Sequence, residues 1–365
     1  MAFGSMKLPP PPLVRAVGWV RDGLAALHRH LVPGHIALLE LQMTGFLAPA
    51  IQAAAQLGIA DALADGPKRV EELARAVGAD ADALERLLRL LVSFDVFTRR
   101  RDGTYALNGM SRALRSDGEV TLRDLSLFFG SEYHRRHWTH LADAVRTGKP
   151  VGPALDGAGF FEYAAEHREL GELFDRAMAS VNTLAIEPLL AAYDFGRFKT
   201  VVDIGGGRGA LLAAILRRHR DARGILFDLP RVLAEPPDEI TELALAQRLT
   251  LRSGSFFESV PEGGDAYLLE HILHDWPDAD AERLLRTVRA AMAPDATLLV
   301  IEILLPEHHR PHAGKFIDLE MLVNSGGRER TAEQFRDLLS RSGFTLVRTV
   351  DTVAPDSILE ARPTG

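Results

Sequence analysis

From Lys199 onward the chain alternates short apolar runs with amphipathic stretches of helical length. The runs are KTVVDI, GILFD, RLTLRS, AYLLEHI, TLLVIEI, FTLVRTV and SILEARP. Strands separated by helical lengths imply a mostly parallel sheet covered on both faces, so the fold class is α/β. Two of the intervening helices are read at Asp280 to Ala293, with Leu284, Leu285, Val288 and Met292 on one face, and at Thr331 to Ser340, opened by the capping box Thr331 to Gln334.

In such sheets ligands sit beyond the carboxyl ends of the strands, where the strand order reverses. VVDIGGGRGA, Val201 to Ala210, is a strand running into a glycine turn at that edge. Gly205, Gly207 and Ala210 fit the dinucleotide fingerprint, and Asp228 ends the next strand where a carboxylate would grip a ribose. The turn therefore reads as adenosine-binding, without saying which adenosine. Asp203 places an anion beside it, which suits a ligand carrying an ammonium better than a pyrophosphate. Gly209 and the two hundred residues before the motif also point away from a nicotinamide.

The chain has 365 residues, 47% of them hydrophobic, with 50 acidic against 42 basic residues, enough for a sizeable core and two domains. Its net charge of −8 argues against a nucleic-acid partner. With no cysteine, disulfides, thiolate metal sites and cysteine nucleophiles are excluded, and a cytoplasmic location is expected. The opening MAFGSMKLPPPPLV has a proline run where an export signal needs an apolar helix, so none is read. The uncharged window Met43 to Ala60 contains Pro49, Gln52, Gln56 and many alanines, and is expected to be a buried or interface helix rather than a membrane span.

VEELARAVGADADALERLLRLLVSFDVFTRRRDGTYALN reads as helix, helix and hairpin, a winged-helix pattern. Gly78 ends a helix, Leu84, Leu87, Leu88 and Leu91 share one face, and Asp102-Gly103 supplies the hairpin turn. The second helix spends its surface on leucines in an acidic chain, so packing or dimerisation is expected rather than DNA reading. Arg146 to Gly159 is expected as one long loop, followed by a helix from about Glu169 to Tyr193.

His274, in HILHDWP, follows the fourth apolar run and so belongs at the same edge as the glycine turn. An imidazole there suits removal of a proton from a hydroxyl. His271 is read inside the strand, on its opposite face, as a packing residue. Glu302 lies in an otherwise apolar run, where an acid needs a partner, and Glu329 lies in the glycine-rich NSGGRERT. Either acid suits the far nitrogen of His274; for Glu329 a salt bridge with Arg328 or Arg330 is the plainer alternative. Phe160, Phe161, Trp138 and Met178 suit either an aromatic acceptor pocket or the core. HHRPH, His308 to His312, is read as surface histidines, with no metal site.

Together DIGGGRG, LFDLP, GSFFESVP, HILHDW, VIEILLP and SGGRERTAEQF resemble the S-adenosylmethionine-dependent O-methyltransferases of the plant caffeic-acid type and their bacterial relatives that tailor polyketides and other secondary metabolites. The resemblance implies a Rossmann-like class I methyltransferase domain with a seven-stranded sheet, preceded by a helical winged-helix dimerisation domain. It divides the chain into a dimerisation domain (1–115), a helical linker with substrate-pocket residues (116–198) and a catalytic domain (199–365). It implies a cytoplasmic homodimer using S-adenosyl-L-methionine, leaving S-adenosyl-L-homocysteine, with an aromatic small-molecule acceptor, no metal, no nucleic acid and no membrane. Carried over residue by residue, Asp203, Gly205 and Gly207 form the cofactor turn, Asp228 with Leu229 holds the ribose, Ser255 and Phe256 meet the adenine, and Glu270 makes a main-chain contact. His274 becomes the base, Glu302 and Glu329 its flanking acids, and Met178, Asn182, Met321 and Asn324 the methyl-transfer pocket, with Phe161 and Trp138 as aromatic candidates. The chain departs from the family at Ser255, where Asp is usual, and at Glu270, often basic. An NAD-dependent oxidoreductase, a ligand-sensing regulator, and a relative diverted to decarboxylation or hydroxylation are the alternatives.

Overall fold

All seven apolar runs are strands of one sheet. In chain order they are β1 (Thr200–Ile204), β2 (Arg223–Asp228), β3 (Leu249–Ser253), β4 (Ala266–Glu270), β5 (Thr297–Ile303), β6 (Phe344–Asp351) and β7 (Asp356–Pro363). Their spatial order is β3-β2-β1-β4-β5-β7-β6. The first five pair in parallel, and β7 runs antiparallel between β5 and β6. Strand order reverses between β1 and β4, which places the crevice at their carboxyl ends. The computed structural model that carries this sheet describes residues 9–118, 120–234 and 236–364. Residues 1–8, part of the opening in which no export signal is read, lie outside them.

Alternate residues of the central strands feed two separate cores. Val201, Ala266, Leu268, Leu299 and Ile301 join one, with Leu211, Leu212 and Ile215 of the helix Ala210–Arg218. Val202, Ile204, Tyr267, Leu269, Leu298 and Val300 join the other, with Leu284, Leu285 and Val288 of Asp278–Ala291 and Phe335, Leu338 and Leu339 of Ala332–Arg341. Period-two alternation with both faces apolar is why these runs read as continuous hydrophobic blocks. The capping box is present: Gln334 N–H donates to Thr331 Oγ1 at 3.2 Å, and Thr331 N–H to Gln334 Oε1 at 2.9 Å. The helix read from Glu169 spans Arg168–Ala192.

The chain divides into two compact units, one of residues up to Asp22, His140–Glu166 and Asn182 onward, the other of Gly23–Thr139 and His167–Val181. The first holds the sheet. In the second, the helices Val70–Val77 and Ala81–Ser93 precede an antiparallel hairpin of Thr98–Arg99 with Tyr105–Ala106. Gly78 caps the first helix at φ 67° and Gly103 turns the hairpin at φ 83°, both left-handed. Leu84, Leu88 and Leu91 are buried in this unit's own core.

Two expectations change. The window Met43 to Ala60 is not one helix: a 3₁₀ turn at Thr44–Phe46 separates Gly34–Met43 from Leu47–Gln56. Pro49 sits in the first turn of the latter, where its missing N–H costs nothing. Ala50, Gln52, Ala54 and Ala55 of the later helix are buried, and no residue of the earlier one is. Gly34–Gln56 is long and apolar enough, by length and composition, to cross a membrane, and 11% of its most apolar window is buried. Arg146 to Gly159 is not one loop, since it contains a helical turn at Gly152–Leu155, and Val151 N–H donates to the Val323 carbonyl at 3.0 Å.

Candidate active site

The glycine turn leaves the end of β1, its Gly205 N–H bonded to the Phe227 carbonyl of β2 at 2.7 Å. Gly205, Gly207 and Gly209 all have positive φ. At Gly209 a Cβ would come within 2.7 Å of Ile240 and 2.8 Å of Leu226, so the turn needs glycine there for space as well as conformation. Asp228, at the end of β2, is partly buried, and accepts from Gly207 N–H at 2.8 Å and Leu229 N–H at 2.6 Å. Ser255 and Phe256 follow β3, and the Phe256 ring borders Gly205 and lies edge-on to Trp276, 6.0 Å between centroids.

Two acids under this edge are buried with an oxygen lacking any hydrogen-bond partner, Asp203 at Oδ1 and Glu270 at Oε1. Burial, then Glu270 and Asp228, pushes the Asp203 carboxyl well above the usual range. Burial also lifts Glu270, to about 7, with His271 opposing and Asp356 and Glu302 adding. A pyrophosphate would push these acids further toward the neutral form, whereas a cationic adenosyl ligand favours their charged form and is complementary to it. The residues at the turn therefore fit S-adenosylmethionine and disfavour a dinucleotide.

His274 sits on a 3₁₀ turn, Leu273–Asp275, just past β4. Glu302 reaches over from β5, its Oε1 accepting the backbone N–H of Leu273 at 2.8 Å and of His274 at 3.2 Å, while Oε2 has no hydrogen-bond partner and stands 3.7 Å from His274 Nδ1. Glu329 takes that Nδ1 at 2.8 Å. The two acids thus have different tasks, one fixing the loop and the other the ring, and Glu329 uses no arginine as its pair. With Nδ1 engaged, Nε2 is the nitrogen left for an incoming hydroxyl. Burial alone would keep this imidazole neutral, but Glu302, Asp275 and Glu329 overcome it and push its pKa up to about 10.

The loop carrying Glu329 lies directly on His274. Arg328 N–H donates to the His274 carbonyl at 2.8 Å, and a Cβ at Gly327 would collide with that same carbonyl. Arg330, 1% exposed, was not singled out by its sequence context, yet it anchors the whole turn. Its guanidinium donates to the carbonyls of Leu273 at 2.8 Å and Trp276 at 2.9 Å and to Asp278 at 2.8 Å. The only signal in the sequence is an arginine amid glycines and charges, which usually marks a solvated loop.

His271 is misplaced by the strand reading. β4 ends at Glu270, and His271 adopts φ 51°, so side-chain alternation stops before it. Its ring lies on the same side as that of His274, 5.4 Å between centroids, with Nε2 2.8 Å from Asp356 Oδ1 and Nδ1 4.0 Å from Glu302 Oε2. Among the described residues His271, His274 and Glu302 are the histidine and acid side chains that come close enough to share a cation, within 4.8 Å. Each imidazole already faces a carboxylate of the protein.

Of the expected acceptor residues, Phe161 stacks on Trp276 at 5.7 Å and 21°. Met321 and Asn324 lie on the helix Ala313–Asn324, which leads into the Glu329 loop, and Asn324 donates to Glu320 at 2.7 Å. Asn182 is partly buried on Arg168–Ala192. Met178 and Trp138 belong to the other compact unit. The HHRPH tract caps the helix Ala313–Asn324 through His312, which accepts Gly314 N–H at 3.2 Å.

Comparison with known proteins agrees with this geometry. The O-methyltransferase domain model matches residues 138–345, and the O-methyltransferase dimerisation domain model matches residues 41–117. The chain is 40% identical to the phenazine O-methyltransferase PhzM of Lysobacter antibioticus, over 91% of this chain and 97% of that one. It is 41% identical to the mitomycin biosynthesis 6-O-methyltransferase of Streptomyces lavendulae, over 86% of this chain and 90% of the relative. The crystal structure of CalO1, a methyltransferase in calicheamicin biosynthesis with S-adenosylhomocysteine bound, superposes with a TM-score of 0.81 at 36% identity, covering 91% and 98% of the two chains. With a Rossmann-like sheet, an adenosyl-fitting turn and both domains matched, the chain belongs to the S-adenosylmethionine-dependent O-methyltransferases and carries their dimerisation domain.

Proposed function

We propose that this enzyme methylates a phenolic hydroxyl of an aromatic or polycyclic small molecule, with His274 as the general base. The observation that carries this reading is the 2.8 Å contact of His274 Nδ1 with buried Glu329, which leaves Nε2 for the acceptor at the carboxyl edge of the sheet. When bound, S-adenosylmethionine supplies an already activated methyl group, so the protein's work is to place an oxygen and take its proton. Nε2 receives the phenol proton, Glu329 stabilises the imidazolium that results, and Glu302 with Arg330 keeps the turn from shifting. A phenol, with a pKa of about 10, is matched to a base raised to this degree, and the neutral form of His274 that takes its proton grows as pH rises. Phenazine and mitomycin relatives support a ring-bearing acceptor.

Asp203, Gly205, Gly207, Asp228, Leu229, Ser255, Phe256 and Glu270 are proposed to hold the cofactor, and Phe161, Asn182, Met321 and Asn324 to face the acceptor. Met178 rests on the family motif alone, and Trp138 on its aromatic side chain alone. The same reading divides the chain at about residues 115 and 198, supported by a dimerisation match ending at 117 and a first sheet strand at Thr200. It makes the protein a cytoplasmic homodimer, supported by that match and by exposed Leu38, Leu39, Leu41, Met43 and Phe46. The deciding experiment is calorimetric titration with S-adenosylhomocysteine, followed by transfer of labelled methyl to a panel of phenols and polycyclic phenols. Micromolar binding with O-methyl products is expected. Binding without transfer to any phenol would remove the acceptor class.

A further inference from the structure

His271 holds a costly conformation in a buried charge cluster, and the mechanism above does not use it. Its φ of 51° is uncommon for a residue other than glycine, and such backbone concentrates where function demands it. Asp356, the first residue of β7, faces its Nε2 at 2.8 Å, and the other ring nitrogen turns toward Glu302 Oε2 at 4.0 Å. That oxygen is buried and accepts no hydrogen bond, although the other oxygen of the same carboxylate accepts two. A buried carboxylate oxygen left so is costly unless a positive charge stands nearby, and two imidazoles do, 3.7 and 4.0 Å away.

We propose that His271 is a positioning residue for methyl transfer, a fixed imidazolium that carries the counter-charge of Glu302 and so sets how readily His274 gives up its proton. This rests on His274 being the base. With Glu302 and Glu329 to itself, His274 would hold its proton more tightly than it does beside a second positive charge. A second cation, held by Asp356, takes over part of that duty. The groups facing the His271 ring are Asp356 from β7, Glu302 from β5, His274 and Asp275 from its own loop, and Glu270 beside it in the chain. Burial and the His274 charge work against the charge on His271, yet the Asp356 contact and the Glu302 field prevail and raise it to about 9, so it is charged at neutral pH.

The test follows the His274 ring by NMR in protein carrying ¹³C-labelled histidine and saturated with S-adenosylhomocysteine, the resonance being assigned by its loss in His274→Ala. In His271→Asn, which keeps a residue tolerant of positive φ but removes the charge, His274 should titrate about one pH unit higher, because a like charge has been taken away. Asp356→Asn should shift it in the same direction by less, and the double variant no further than His271→Asn. An unmoved His274 titration in either folded variant overturns the proposal, and Asp356→Asn answers alone if His271→Asn does not fold. Wild-type methyl transfer by His274→Ala would instead overturn the base assignment, a result separable from the titration.

Discussion

At the β1 end of the sheet's carboxyl edge Asp203 and Glu270 are buried with an oxygen unpartnered. At the β5 end Glu302, Glu329 and Asp356 are just as buried and each also has an oxygen that accepts no hydrogen bond, but each has an imidazole nitrogen within 4.0 Å. The same residue type thus stands without an imidazole where we propose that the cationic cofactor is received, and beside one where we propose that a proton is moved. An acid already neutralised by its own protein attracts no ligand, and an acid left open gives a histidine no fixed orientation. Each end is arranged for one task.

Removing the matched end should have the largest effect. His274→Ala is expected to lower methyl transfer to a phenol by about a thousandfold or more while S-adenosylhomocysteine affinity, measured by calorimetry, stays within about twofold. Comparable turnover in a folded variant would break the comparison outright. Glu329→Gln should cost about a hundredfold in kcat, since Nδ1 loses its anion. Taking away a negative charge lowers the pKa of His274, so the acidic limb of the rate profile should move to lower pH as the rate falls. A loss of rate with an unmoved limb would assign Glu329 to packing alone.

At the open end the effect is smaller and opposite in kind. Asp203→Asn should weaken S-adenosylhomocysteine by about tenfold yet raise the unfolding temperature by a few degrees, because it replaces a buried carboxylate with a neutral isostere. The folded pKa of Asp203 lies above its unfolded value, so ionisation costs stability as pH rises above about 4. The stabilisation should therefore vanish in acid and grow toward neutrality, which thermal melts at several pH values would read. The smallest effect concerns His271. Its folded pKa, about 9, exceeds the unfolded value, so its contribution is complete below about pH 6.5 and is lost as pH rises through 9. Wild-type melting temperature should fall across that window more steeply than that of His271→Asn.

The strands were legible because a sheet buried on both faces leaves unbroken apolar runs, and the capping box at Thr331 because both halves of its bond lie in local sequence. The glycine turn was legible for a similar reason, since Gly205 and Gly209 are required by local backbone and close neighbours. Partnerships across the fold were not. Nothing in the spacing of 274, 302 and 329 tells which acid takes the ring, because that depends on a loop crossing back over the His274 carbonyl. His271 was misread because one left-handed residue ends the alternation on which the strand argument depends. Arg330 was missed because burial of an arginine is decided by the carbonyls awaiting it, which belong to another segment.

The close seating of Gly327 on the His274 carbonyl bears on how this enzyme can be re-engineered. The helix that carries Met321 and Asn324, the proposed acceptor residues, runs straight into that loop, so a change made there is also a pull on Glu329, which holds the His274 ring. Libraries that vary Met321 while sparing Gly326 to Arg330 would keep acceptor choice and proton removal separable. Insertion of even one residue between them would turn every change of substrate into a change of chemistry.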